Sequence, residues 1–306
     1  MLPAHEHGHV GVGELYGETK QAYKMKSKRL YISALWLVEG NLKRSPEHYF
    51  HHLEPTLKMI RGGNLMFFYE SEDILNRVSA VAKNYDINLL PFELKLEDHP
   101  DLERSKAMAQ NSCEFRMDVF ADAFPDLISN EKGFNQYFKF LNRGENVQAY
   151  SKQLVCTIGK YSLIQKSMEK YDFEELYWVD VSASRFNHAR NNFDFCEIPI
   201  RKDAIHHYSS SQKIFGQTQK VQGSVLFGNR KAWESFAALY DETFRAYIDS
   251  GCTYPATDEP LMTLCHLKNP DLFERVDSEE RTLLHKAVGK LLSPLRRSLL
   301  IAMNQY

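Results

Sequence analysis

Residues 30–90 alternate between blocks of strand-forming residues and amphipathic stripes, and this limits the early part of the chain to a parallel α/β arrangement. Residues 30–38, LYISALWLV, read as a strand, and Glu39, Gly40 and Asn41 supply a turn at its end. Ser45 and Pro46 then open a helix, because serine caps and a proline in the first turn gives up an N–H that has no helical partner. The apolar positions Tyr49, Phe50, Leu53, Leu57 and Ile60 recur at helical spacing and stop at Gly62 and Gly63. The pattern repeats. Residues 65–69, LMFFY, form a strand; Ser71 begins a helix with Glu72 and Asp73 in its first turn; and residues 87–90 form a strand ended by Pro91. Strands alternating with helices at this pitch predict parallel pairing through right-handed crossovers, a Rossmann-like layout. No GxGxxG follows the first strand, which argues against a dinucleotide site there.

Helical periodicity runs from Pro100 to Ala123, a loop covers 125–133, and a helical region spans 149–171 with Lys152, Lys160 and Lys166 along it. Residues 221–228, VQGSVLFG, read as another strand, with Gly223 suited to a close approach of backbone. A helix from Arg230 to Asp249 carries the core stripe Trp233, Phe236, Leu239, Tyr240, Phe244 and Tyr247. After a break at 251–255, Thr257, Asp258, Glu259 and Pro260 start a further helix. The expected organisation is a flexible polar tail over 1–28, an α/β domain over 29–275 and a helical segment over 276–306.

Charge and cysteine content narrow the function classes. With 38 Lys and Arg against 40 Asp and Glu, the chain lacks the positive excess of a dedicated nucleic-acid binder. Cys113, Cys156, Cys196, Cys252 and Cys265 are widely spaced with no CxxC pair, the usage of reduced thiols in a cytoplasmic protein. No run reaches the roughly 18 apolar residues of a membrane span, and the N-terminus has no apolar secretory core. His5, His7 and His9 alternate in a glycine-rich tail that does not fix their geometry. His206 and His207 are neighbours whose rings point apart on either a helix or a strand. Around Lys290, Arg296 and Arg297 the C-terminal segment is basic and amphipathic, a pattern that suits peripheral contact with an anionic membrane surface, packing on its own domain, or pairing with a second copy.

The stretch of the chain with most chemical promise is 177–185, YWVDVSASR. A buried strand, Tyr177, Trp178 and Val179, ends in Asp180 and then in small polar residues and Arg185. In open α/β sheets ligands collect at the carboxyl ends of strands, and a carboxylate there can hold a hard divalent cation that in turn holds a phosphate. An aspartate in that position also serves as a turn former. A polar stretch after Arg185, with Asn187, His188, Asn191 and Asn192, suits a loop over such a site.

Taken in order, the Arg44, Ser45, Pro46 and Tyr49 segment, the KYSL string at Lys160, YWVDVSASR, VQGSVLFG and the TDEPLM string at 257–262 resemble the YibB/HtrL-type family of bacterial glycosyltransferases, a GT-A-like group. The resemblance covers most of residues 30–275. It implies an α/β, mainly parallel sheet flanked by helices, and transfer of a sugar from a nucleotide-sugar donor to a glycan or lipid-linked glycan acceptor. The implied setting is surface polysaccharide synthesis, lipopolysaccharide or capsule, at the cytoplasmic side of the inner membrane. GT-A enzymes characteristically carry Asp-x-Asp at a strand end, where it binds a divalent cation bridging the donor diphosphate. Here the string is Asp180-Val181-Ser182, with a serine in place of the second acid. The implied roles are Asp180 and Ser182 at the donor, with Mn or Mg on Asp180. In a metal-free site the phosphate charge would fall to Lys160, Arg185 or Arg230. Asp258 or Glu259 would be the general base for the acceptor, although acids at a helix start are equally explained by the helix dipole. Two other classes stay open: a carbohydrate-binding or assembly protein without turnover, and a phosphohydrolase with an aspartate nucleophile.

Overall fold

The computed structural model describes residues 28–40, 44–127, 147–186, 200, 202–210, 213–214, 217–254 and 258–276. Its strands are β1 (Arg29–Leu35), β2 (Asn64–Tyr69), β3 (Asn88–Glu93), β4 (Glu175–Val179), β5 (Ile205–His207), β6 (Lys213–Ile214), β7 (Gln217–Thr218), β8 (Val225–Asn229) and β9 (Phe273–Arg275). Its α-helices are α1 (Pro46–Lys58), α2 (Glu72–Asn84), α3 (Leu102–Cys113), α4 (Met117–Ala123), α5 (Val147–Ile158), α6 (Lys160–Lys170), α7 (Arg230–Asp249) and α8 (Glu259–Lys268). A seven-stranded sheet runs β3-β2-β1-β4-β8-β5-β9, while β6 and β7 pair separately. Pairing is parallel from β3 to β4; β8 is antiparallel to both of its neighbours, β4 and β5; and β5 and β9 are parallel. This is the Rossmann-like, mainly parallel α/β sheet flanked by helices expected of a GT-A-like chain.

The sheet is buried on both faces because its strands alternate between two apolar sets. Leu30, Ile32, Met66, Phe68, Leu176, Trp178 and Leu226 point to the side covered by α3, α5, α6, α7 and α8. Tyr31, Leu65, Phe67, Tyr177, Val179, Val225 and Phe227 point to the side covered by α1 and α2. On that second face a row of rings crosses four strands: Tyr31 and Tyr177 at 5.2 Å, Tyr177 and Phe227 stacked at 4.8 Å, and Phe227 and His206 stacked at 5.1 Å. Cross-strand aromatic pairs of this kind add to the backbone ladder.

Several boundaries differ from the expected ones, each for a local reason. β3 continues through Pro91 to Glu93, since an edge strand bonds on one side only and tolerates the missing N–H. The helical stretches over 100–123 and 149–171 are each two helices. The second break falls at Gly159, where a Cβ would lie 2.3 Å from the His99 ring. Residues 221–224 form a turn before β8 and are not part of the strand. Ser71 caps α2 through its side chain, accepting the Ile74 N–H, whereas Ser45 caps α1 with backbone geometry alone. Most of the 1–28 tail, residues 187–199, Thr257 and the segment beyond Val276 lie outside the described residues. Among the described residues no helix is long and apolar enough to cross a membrane.

His99 gives the fold a pH response. Its ring is 3% exposed, packs edge-on to Trp36 at 5.7 Å, and accepts the Asp101 N–H at Nδ1. Burial, aided by Lys166, depresses the imidazole to about 4. The unfolded chain therefore binds a proton that the fold excludes, and the contribution is fully present above the unfolded value of about 6.5 and lost as pH falls toward 4. Urea unfolding should show up to about 3 kcal/mol of stability lost across that window through this group, and His99→Asn should flatten the slope by the corresponding single proton.

Candidate active site

From β1 the chain winds outward through β2 to β3, and β4 returns to the opposite side of β1. The loops leaving β1 and β4 therefore diverge, and a crevice is left at their carboxyl ends, which is where open α/β sheets bind ligands. A cleft occupies that position. Trp36 and Val38 line it after β1, Arg44 and Tyr49 at the start of α1, Gln153 and Thr157 from α5, and Asp180, Ser182 and Arg185 after β4.

Asp180 is held at four points. Its N–H donates to the Ser224 carbonyl at 2.9 Å, and its own carbonyl accepts the Ala183 N–H at 2.8 Å. Its Oδ1 accepts the Trp178 indole N–H at 2.8 Å, and its Oδ2 lies 4.0 Å from Arg185 Nη2. The turn-forming role of the backbone and a fixed, partly open carboxylate thus coexist. Arg185 donates to Ser182 Oγ and lies over the Phe186 ring. Burial lowers the Arg185 pKa and the Asp180 carboxylate opposes it; a guanidinium stays charged either way. Burial, with the charges of Arg44 and Arg185 adding to it, also lowers the His48 pKa. The thiol of Cys156, on the cleft wall, is pushed up to about 12 by desolvation and stays protonated, which removes it as a nucleophile.

Lys160 and Asp258 are not on the cleft surface. Lys160, 3% exposed, forms an ion pair with Asp258 Oδ2 at 2.8 Å and donates to the Gly223 carbonyl at 2.6 Å. Tyr161 donates to the same Asp258 oxygen at 3.1 Å. Glu259, next in sequence, is half-buried; it accepts from Ser210 at 3.1 Å, and its charge is felt at Arg185. Of the seven residues singled out from the sequence, Asp180, Ser182 and Arg185 thus share one wall, Lys160 and Asp258 pair behind it, and Glu259 follows Asp258 at the start of α8. Arg230 is elsewhere: it bonds the carbonyls of Met168 and Tyr171 at the end of α6, at the opposite edge of the sheet, and is out of reach of a phosphate at Asp180. His206 and His207 are strand residues of β5, each bonded through Nδ1 to a backbone carbonyl. Arg44, in the sequence only part of the segment that carries the resemblance and given no role there, lines the cleft; its signal is a cation directly before a helix cap at the carboxyl side of β1.

The described residues do not by themselves make a divalent-cation site. One oxygen of Asp180 is taken by an indole, the other faces a guanidinium, and Ser182 is buried beneath that guanidinium. Among the described residues no group of three His, Cys, Asp or Glu side chains is placed to hold a metal.

Gly223 explains why the turn before β8 admits no side chain. A Cβ there would stand 2.2 Å from Asp258 Oδ2 and 2.9 Å from Lys160 Nζ. Gly223→Ala is expected to part the buried pair and to cost about 3 kcal/mol or more in denaturant unfolding.

No family model and no curated protein sequence matches the chain. Among solved structures it is similar to core-mannan synthase A from Aspergillus fumigatus in its Mn/GDP form, at 11% identity over 90% of this chain and 79% of that one, TM-score 0.40. It is also similar to a glycosyltransferase involved in glycosylation of the major capsid of PBCV-1, at 9% identity over 81% of each chain, TM-score 0.33. A third is the apo-form glycosyltransferase GlyE of Streptococcus pneumoniae TIGR4, at 9% identity over 87% of this chain and 50% of that one, TM-score 0.38. Scores this low transfer neither a ligand nor a residue role to this chain.

Proposed function

We propose that the chain is a glycosyltransferase that moves a sugar from a nucleotide-sugar donor to an acceptor hydroxyl. The observation that carries this reading is the presence of two guanidinium groups, Arg44 and Arg185, in the crevice between β1 and β4, the second of them 4.0 Å from the strand-end carboxylate of Asp180. In glycosyl transfer, positive charge builds at the anomeric carbon while negative charge collects on the departing phosphate. Arg44 and Arg185 neutralise the diphosphate as fixed, charged hydrogen-bond donors. Asp180, anchored by Trp178, keeps its other oxygen toward Arg185 and orients that guanidinium. Glu259 takes the proton of the acceptor hydroxyl, being the acid of the pair that is not enclosed by Lys160 and Tyr161.

The resemblance supports the wider setting: a bacterial surface polysaccharide such as lipopolysaccharide or capsule, a glycan or lipid-linked glycan acceptor, and work at the cytoplasmic side of the inner membrane. One observation favours the second reading, a carbohydrate-binding or assembly protein without turnover: Asp258, one of the two candidate bases, is enclosed by partners. A phosphohydrolase is disfavoured, because an aspartate nucleophile needs a free oxygen and Asp180 has an indole on one and a guanidinium near the other.

Thermal unfolding with UDP, GDP, CMP or ADP, each in Mn and in EDTA, tests the donor site. One nucleotide is expected to raise the melting temperature in both conditions, since a ligand that binds only the folded state stabilises it. Arg185→Ala should weaken that nucleotide about 10- to 100-fold, the worth of a hydrogen bond to a charged group. Absence of a shift with every nucleotide would remove the transferase reading. Once a donor is found, Glu259→Gln should lower kcat by about 10²–10⁴ and leave nucleotide affinity unchanged; equal turnover would take the base role from Glu259.

A further inference from the structure

Lys160 is the first residue of α6 and is buried among Tyr161, Trp178 and Asp258. A buried ion pair is a poor source of stability, because taking two charges out of water costs about what their attraction returns, and well-packed apolar residues often do as well. Its contacts are more informative than its energy. The ammonium touches four things: Asp258 Oδ2 at 2.8 Å, the Gly223 carbonyl at 2.6 Å, and the rings of Trp178 and Tyr161 at 5.7 and 5.9 Å from their centroids.

Two of these contacts lead in one step to the cleft, and a third leads to Glu259. Trp178 donates its indole N–H to Asp180 Oδ1. Gly223 precedes Ser224, whose carbonyl accepts the Asp180 N–H. Asp258 precedes Glu259 at the start of α8, and its carbonyl accepts the Met262 N–H that begins the helix. Tyr161, the fourth contact, donates to the same Asp258 oxygen and fixes that carboxylate from a second direction. A single ammonium ion thus adjoins the residues that locate Asp180 in the cleft and Glu259 at the start of α8.

We propose that Lys160, paired with Asp258, is a positioning residue that holds the Asp180 strand end and the Glu259 helix start in register without itself touching donor or acceptor. For the roles of those two acids the proposal rests on the transferase reading. A pair that served only stability could be replaced by uncharged groups with no effect at Asp180. A pair that sets the register could not.

The test compares wild type with the double variant Lys160→Met, Asp258→Asn, which removes both charges together and so leaves neither buried alone. Its melting temperature is expected to lie within a few degrees of wild type. Two readings then decide. In the ¹⁵N–¹H spectrum the Trp178 indole resonance, assigned with Trp178→Phe, is expected to move and to exchange faster with water as its bond to Asp180 loosens. Nucleotide release from UDP-glucose, GDP-mannose or ADP-glucose, whichever the wild type turns over, is expected to fall about 100-fold in kcat, the cost of a displacement near 1 Å. KM for the donor should change less than threefold. A folded double variant with an unmoved indole resonance overturns the proposal, as does one with wild-type kcat. The indole reading needs no turnover, so failure of the transferase reading would appear separately, as a wild type inactive on every donor. Lys160→Arg covers the case of a double variant that does not fold: the longer cation keeps the charge but must displace Trp178 or Gly223, and an unmoved indole resonance there is equally fatal.

Discussion

Where β1 meets β4, Tyr31 lies opposite Tyr177 and Ile32 opposite Trp178, and the paired residues Arg29 and Glu175 are 146 positions apart in sequence. The crevice exists because these two strands are neighbours while their connections run to opposite sides. The pairing is secured on both faces. Tyr31 and Tyr177 are the first two rings of the row that reaches His206, and Ile32 and Trp178 enter the core beneath α5 to α8. At the edge away from the cleft, Arg29 pairs with Glu175 and lies over the Tyr177 ring at 5.4 Å. Long-range contacts of this kind slow folding, because the intervening loop must be ordered before the contact repays it.

The reversed strand β8 changes what can stand at the cleft. A strand running with the others would deliver its exit to that edge. β8 delivers its entry, so the turn that contains Gly223 and Ser224 meets Asp180 with backbone carbonyls. One of those carbonyls accepts the Asp180 N–H and the other the Lys160 ammonium. The exit of β8 falls at the far edge, which is why Arg230 closes the end of α6 there.

Local pattern carried much of this. β1, β2, α1, α2 and α7 follow from runs and stripes that no other element type accommodates, and Asp180 and Arg185 follow from a strand that ends in polar residues. What local pattern lacks is direction and distance. Nothing within VQGSVLFG says that β8 runs against its neighbours, and a single glycine in a long helical stripe does not announce that Gly159 parts two helices around His99. Lys160 on a helix was a candidate for the donor phosphate, and it is instead buried, because its partner Asp258 stands far along the chain. Arg44 was masked by the cap and proline beside it, which explained the local sequence without it.

The Lys160 pair also has a place in time. Tyr161 and Asp258, which complete the same cluster, are 97 residues apart. At synthesis rates of about 5–20 residues per second, on the order of 5–20 s pass between the emergence of the lysine and that of its counter-charge. Over that interval, closing the face of α6 over Lys160 would bury a charge without its partner, a state that costs free energy. A chain that ends before residue 258 lacks the counter-charge, and enclosing Lys160 in its core would bury an unpaired charge, which is strongly destabilising.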